Sequence, residues 1–148
     1  MRFHSIPIAG LLALAALAPG CSQETGPRTM RAWGDVTLDG APVEAGSITF
    51  ESTDDAAPAQ GPIQGGKFDI AADAGPTAGR TYVIKINAAK KTGKTIPNIM
   101  GDGAPTMDIL AETIPPAFNV KSIIKKTIDP DASKNEFHFK LTKAGTFE

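Results

Sequence analysis

The chain has 148 residues, with 15 Lys and Arg against 16 Asp and Glu, one cysteine, two histidines, 15 Gly and 12 Pro. That length builds one domain rather than two sizeable cores, and the near-zero charge lacks the basic excess of a nucleic-acid binder. One cysteine makes neither an internal disulfide nor a multi-cysteine metal site, and the Gly and Pro content is high for a helical bundle.

The N-terminus reads as a targeting segment. Met1 to Ser5 carries one firm positive charge, Arg2, and Ile6 to Ala18 then runs apolar for 13 residues, broken only by Pro7 and Gly10. A bilayer core needs about 20 apolar residues, so this run fits a signal-peptide core better than a membrane span. It closes on Leu17-Ala18-Pro19-Gly20-Cys21, which resembles a bacterial lipobox. Gly20 and Cys21 fit it; Ala18 and Pro19 depart from the residues usual there. The resemblance implies lipidation of Cys21, stable attachment through several acyl chains and, with Ser22 rather than Asp next, an outer-membrane destination. Ordinary secretion with a free Cys21 is the alternative. The division expected is residues 1–20 as lipoprotein signal, 21–29 as flexible tether, 30–143 as the folded domain and 144–148 as a C-terminal tail. Without the first 20 residues the charge is 14 basic against 16 acidic, and His138 is the sole histidine.

From Met30 onward the apolar pattern has period two, the signature of half-buried strands. Ala32 to Leu38 points Val36 and Leu38 to one side, with Trp33, Asp35 and Thr37 on the other, and Asp39-Gly40 marks a tight turn. Ser47 to Glu51 turns Ile48 and Phe50 inward, and Asp54 to Gln60 is a polar loop. Gly61 to Gln64 and Lys67 to Ile70 flank a Gly65-Gly66 turn as a second hairpin, with Phe68 and Ile70 inward. Arg80 to Ala88 is the clearest strand, burying Tyr82, Ile84, Ile86 and Ala88. The segment 89–111 reads as a long loop too rich in Gly and Pro to be regular, folding back to cap the core with its apolar residues. Within and just beyond it, Met107 to Glu112 is the best helical candidate, cut off by Pro115-Pro116. Ser122 to Ile128 and Asn135 to Leu141 complete the strands. The last, with Phe137, Phe139 and Leu141 inward, is expected to pair with the strand at Tyr82–Ala88 or its neighbour. The whole is all-β: one antiparallel Ig-like β-sandwich of about seven strands.

The run Gly34-Asp35-Val36-Thr37-Leu38-Asp39-Gly40-Ala41-Pro42-Val43-Glu44-Ala45-Gly46-Ser47-Ile48-Thr49-Phe50 resembles the opening of a known sandwich family. This is the carboxypeptidase-regulatory-like, or transthyretin-like, β-sandwich of short lipoproteins of the planctomycete type. The resemblance continues through Gly66 to Ile70, Gly79 to Ile86, Ile114-Pro115-Pro116-Ala117-Phe118-Asn119 with Ser122, and Asn135 to Leu141. It spans residues 30 to 143, and Trp33 and the 89–111 insertion are where this chain is individual. The resemblance implies a fold and an export signal, with no catalytic residues to carry over.

Chemistry is sparse. Nucleophilic catalysis needs a base within reach of its nucleophile, and His138 sits on the polar face of a strand between Glu136 and Lys140. Asp54-Asp55, Asp102 with Asp108 and Glu112, and Asp129-Pro130-Asp131 are the acidic clusters, and none has calcium-loop spacing. Asp129 to Ser133 reads as an Asx-type turn. Gly93-Lys94-Thr95 echoes the end of a phosphate-binding loop, but Ala88 stands where its first Gly belongs. No catalytic residue, metal or cofactor is expected. Candidate ligand contacts are Trp33 and the basic Lys90, Lys91 and Lys94. Two functions follow. One is a lipid-anchored, non-enzymatic, monomeric sandwich serving as a structural or protein-interaction module of the cell envelope. The alternative is a carbohydrate- or peptide-binding module using the 89–111 loop or Trp33.

Overall fold

Period-two alternation organises the molecule throughout, because successive side chains of a strand point to opposite faces. A computed structural model describes residues 27–99 and 104–148. Cys21, the signal segment and residues 21–26 of the tether lie outside the described residues. The strands are β1 (Ala32–Leu38), β2 (Ala41–Pro42), β3 (Ala45–Ser52), β4 (Ala59–Gln64), β5 (Lys67–Ile70), β6 (Thr81–Asn87), β7 (Ala89–Pro97), β8 (Thr106–Glu112), β9 (Lys125–Thr127) and β10 (Glu136–Leu141). Among the described residues, helix is confined to three-residue 3₁₀ turns.

Eight strands form one continuous ladder in the order β10-β1-β5-β4-β3-β6-β9, with β2 paired to β1. The ladder narrows at the β4–β5 hairpin, where only Ile63↔Phe68 and Gln64↔Lys67 pair. There the sheet folds over, so strands far apart in the ladder face each other. Phe50 on β3 reaches Phe137 on β10 with ring centroids 6.0 Å apart, and it also meets Phe68 at 6.3 Å and Tyr82 at 6.2 Å. Two facing layers around an aromatic centre make a β-sandwich. Val36, Ile48, Phe50, Phe68, Ile70, Tyr82, Ile84, Ile86, Phe137, Phe139 and Leu141 are buried as the alternation predicts, and Leu38 is partly so. Met30, Ile114, Phe118 and Ile124 join them from outside the clear strands.

Several expectations need correcting. The described residues hold ten strands rather than about seven. β10 does not pair with β6 or its neighbours; it pairs with β1, and in parallel, from Trp33↔Glu136 to Leu38↔Leu141. Gly34 makes that approach feasible, since a Cβ there would lie 1.7 Å from the Phe137 carbonyl oxygen. The helix expected at Met107–Glu112 is strand β8, because β7 offers it a cross-strand partner at Ala89↔Glu112 through Pro97↔Thr106. The strand expected over Ser122–Ile128 shortens to β9. Ser122 spends its hydroxyl on the Ile84 carbonyl, and Ile84 N–H reaches Ile124 O, so the ladder there is irregular.

The segments flanking the sandwich are also tied down. Thr29, in the expected tether, bridges Thr77, and Ala78 N–H bonds Arg28 O. In the tail, Glu148 and Lys140 exchange backbone hydrogen bonds while Phe147 rests edge-on against Phe118. Buried Asn135 closes the Asp129–Ser133 turn, accepting from Asp129 N–H at 2.8 Å and donating to Asp129 O at 3.0 Å.

Candidate functional site

The most individual feature is the β7–β8 hairpin, which forms its own two-stranded sheet. Every residue of β7 is exposed, and in β8 only Ile109 is half-buried. The described residues of 89–111 therefore do not cap the core. Their apolar side chains stay in solvent: Ile96 is 45% exposed, Leu110 59% and Ile99 89%. The hairpin continues β6 after the single residue Ala88, and nine extended residues reach about 30 Å. It leaves the sandwich where Leu38, Val43, Ala88, Lys90 and Ile114 line a recess of about 240 Å³. That is the finishing end of β1, whereas the N-terminal segment meets the sandwich at the starting end, where Thr29 bridges Thr77.

Glu112 anchors the root of this arm. Its Oε1 accepts from the N–H groups of Ala88 at 2.9 Å, Thr113 at 3.0 Å and Ile114 at 2.9 Å. Thr113 has a second acceptor in Ala88 O, but among the described residues no other acceptor is seen for Ala88 and Ile114 N–H. Along the arm, Lys91 pairs with Asp108 at 2.6 Å, and that hydrogen bond raises the lysine above its ordinary pKa. Lys90, Lys91 and Lys94 all project into solvent, as the sequence suggests, but on a strand rather than a loop.

Trp33 lies elsewhere, half-buried on the outer face of β1. With Asp35, Pro62, Gln64, Lys67, Asp69 and Glu136 it borders an open cleft of about 450 Å³. Arg31 lies two residues before Trp33 and so on the same face, and its guanidinium sits 4.7 Å from the indole centroid. Asp69, opposite Trp33 in the ladder, grips Arg31 through Nε at 2.8 Å and Nη2 at 2.5 Å. That bidentate pair holds the Asp69 carboxyl below the usual carboxylate range and raises Arg31. One face of the indole is thus already occupied by a cation, which leaves a sugar ring only the remaining edge and face. Sequence reading singled out Trp33 and missed Arg31 and Asp69, although the 31/33 spacing carried the signal.

His138 donates its Nδ1–H to Asp35 Oδ2 at 2.5 Å on the solvent face, across the parallel β1–β10 ladder. No serine, threonine or cysteine hydroxyl or thiol is seen bonded to it among the described residues. Several of the acidic residues make local contacts, and Asp102 lies outside the described residues. Asp54 binds Ser52, Ala56 N–H and Arg80, and Asp131 binds Ser133. Among the described residues, no three His, Cys, Asp or Glu side chains gather as a metal site would require.

The fold defines the class, an all-β sandwich carrying a two-stranded arm. No family model, curated protein or solved structure matches the chain.

Proposed function

We propose that this protein is an exported, lipid-anchored, non-enzymatic sandwich that serves the bacterial cell envelope as a structural or protein-interaction module, similar to the carboxypeptidase-regulatory-like lipoproteins. The observation that carries the reading is the β7–β8 arm, exposed along both strands except at Ile109 and set at the opposite end of β1 from the N-terminal segment. An anchor at Cys21 with an arm at the far pole holds the arm away from the anchoring membrane. The apolar run ending at Gly20-Cys21 supports the anchor.

Intact-mass analysis of the membrane-extracted protein tests the anchor. The expected result is a mature N-terminus at Cys21 carrying acyl chains, with Cys21→Ser abolishing both the lipid mass and labelling by radioactive palmitate. Lipid that persists on the Cys21→Ser chain overturns the reading. The cleft beside Trp33 favours a second reading, recognition of a carbohydrate or peptide. Trp33 is the only tryptophan, so its fluorescence reports the site directly. Saturable quenching by peptidoglycan fragments or peptides, lost in Arg31→Ala or Asp69→Ala, supports this reading; an unresponsive indole rejects it.

A further inference from the structure

The two edges of the arm are unlike. β7 carries Lys90, Lys91 and Lys94, ends in Pro97, and breaks register between Lys91 and Thr95, with Gly93 at φ 78°. Edge lysines, bulges and prolines are the devices that stop a sheet from recruiting another strand. β8, Thr106-Met107-Asp108-Ile109-Leu110-Ala111-Glu112, has none of them and runs without interruption. The arm is guarded on one side and open on the other.

The open edge is self-complementary. Asn98 N–H bonds Pro105 O, Thr92 Oγ1 bonds Ile109 O and Thr113 N–H bonds Ala88 O, so odd-numbered residues of this strand turn their backbone groups toward β7. Asp108 and Leu110 therefore turn theirs outward. Now set a second β8 antiparallel to the first, with the two-fold axis at Ile109. Asp108 and Leu110 of one copy exchange hydrogen bonds with Leu110 and Asp108 of the other. Met107 falls opposite Ala111, Ile109 opposite Ile109, and Thr106 opposite Glu112. No like charges stand directly opposite one another, and Ile96, Met107 and Ile109 of both copies join into one apolar stripe. A lone two-stranded hairpin is marginal in water, whereas four strands with an apolar face hold together far better.

We propose that β8 is a homotypic docking edge, which pairs with β8 of a second copy of this chain to give a closed four-stranded sheet β7-β8-β8-β7. The lysine-rich β7 edges lie outermost and end the assembly at two copies, so the contact is isologous and does not propagate into a fibre. This rests on the reading of the arm as an interaction element and names its partner. One strand pair buries less than the roughly 1,200 Å² of a standard interface, so the pairing is weak in solution and gains from copies concentrated on a surface. Each sandwich remains a separate folded unit, and the two bodies lie at opposite ends of the joint sheet.

Because Cys21 is the only cysteine, a single introduced thiol reports the register. The full chain carrying Cys21→Ser, held in non-ionic detergent, is compared with Ile109→Cys or Lys94→Cys added. Ile109 lies in a non-hydrogen-bonded pair with its copy, where Cα atoms are about 4.5 Å apart and a disulfide fits. The expected result under mild oxidation is a disulfide-linked dimer that forms at least about tenfold faster for Ile109→Cys than for Lys94→Cys, since only position 109 is held in disulfide range. Adding Leu110→Pro removes an outward N–H from the open edge and brings the Ile109→Cys rate down to that of Lys94→Cys. Far-ultraviolet circular dichroism checks that the sandwich is intact in each variant. Equal rates at positions 109 and 94 overturn the proposal, as does a rate at 109 untouched by Leu110→Pro. Lipidation of Cys21 is untouched by either outcome, because these chains carry no lipid.

Discussion

Replacing Gly34 by alanine tests whether the parallel β1–β10 closure depends on a missing side chain. The new Cβ would sit 1.7 Å from the Phe137 carbonyl oxygen, whereas real Cβ contacts essentially never fall below 3.0 Å. The strands must therefore separate by more than an ångström at the Gly34↔Phe137 pair. Two or three neighbouring ladder bonds then stretch beyond useful length, at about 1 kcal/mol each. Phe137 and Phe139 lose part of their packing against Phe50 and Phe68, which brings the total to roughly 3–5 kcal/mol. At about 4 °C per kcal/mol for a domain of this size, the melting temperature falls by roughly 12–20 °C. Gly40→Ala is the control. It has φ 78° and nothing within 4 Å, so it carries only the left-handed backbone cost of about 1–2 kcal/mol. Thermal unfolding followed by circular dichroism separates the two. If Gly34→Ala melts no lower than Gly40→Ala, close strand approach is not what requires glycine.

Tyr82→Phe removes a buried hydroxyl that accepts from Thr77 N–H at 2.9 Å and donates to Ala57 O at 3.3 Å. The orphaned, buried N–H costs about 1–3 kcal/mol, read as a lower urea midpoint at unchanged slope, and an unmoved midpoint contradicts it. Glu112→Ala deprives Ala88 and Ile114 N–H of their carboxylate. Amide exchange at those two positions should rise by about tenfold or more while central β3 and β6 amides keep their protection; unchanged exchange would show the root is held otherwise. Acid should also weaken the fold. The N–H of Lys143 on Asp39, that of Ala56 on Asp54, the Arg31 guanidinium on Asp69 and the Ser133 hydroxyl on Asp131 hold these carboxyls below the usual range. A depressed folded pKa gives stability that is whole above the unfolded value, about 4, and is lost as pH falls through the folded one. The urea midpoint should therefore decline below about pH 4, and a midpoint level down to about pH 2 would refute the assignment.

The parts of the fold legible in the sequence are those governed by local alternation. Phe137, Phe139 and Leu141, and Tyr82, Ile84 and Ile86, announce their strands and their buried faces because a two-residue period has one structural meaning. Pairing is different. Nothing local in Glu136–Leu141 says that its neighbour is β1, since that choice depends on a glycine in β1 that lets the backbones meet. Met107, Leu110 and Ala111 stand at helical spacing, and the strand wins only because β7 supplies cross-strand partners. The role of Glu112 was invisible for the same reason: its three N–H donors come together only once Ala88 and Ile114 are neighbours. At the cleft, Trp33 was legible as an outward aromatic, but the guanidinium that covers it depends on Asp69, 38 residues beyond Arg31.

The side-by-side placement of β1 and β10 also sets a clock. Asp35 and His138, 103 residues apart, touch only when the last strand is in place. A chain made or threaded from its N-terminus thus has an open layer, with Val36 lacking its neighbour strand and Phe68 lacking the Phe139 ring, until about residue 141 has emerged. Such high contact order makes folding late and slow relative to chain emergence. A polypeptide that must pass through a narrow channel while unfolded is served by this order of events, because it cannot lock before its final strand is free.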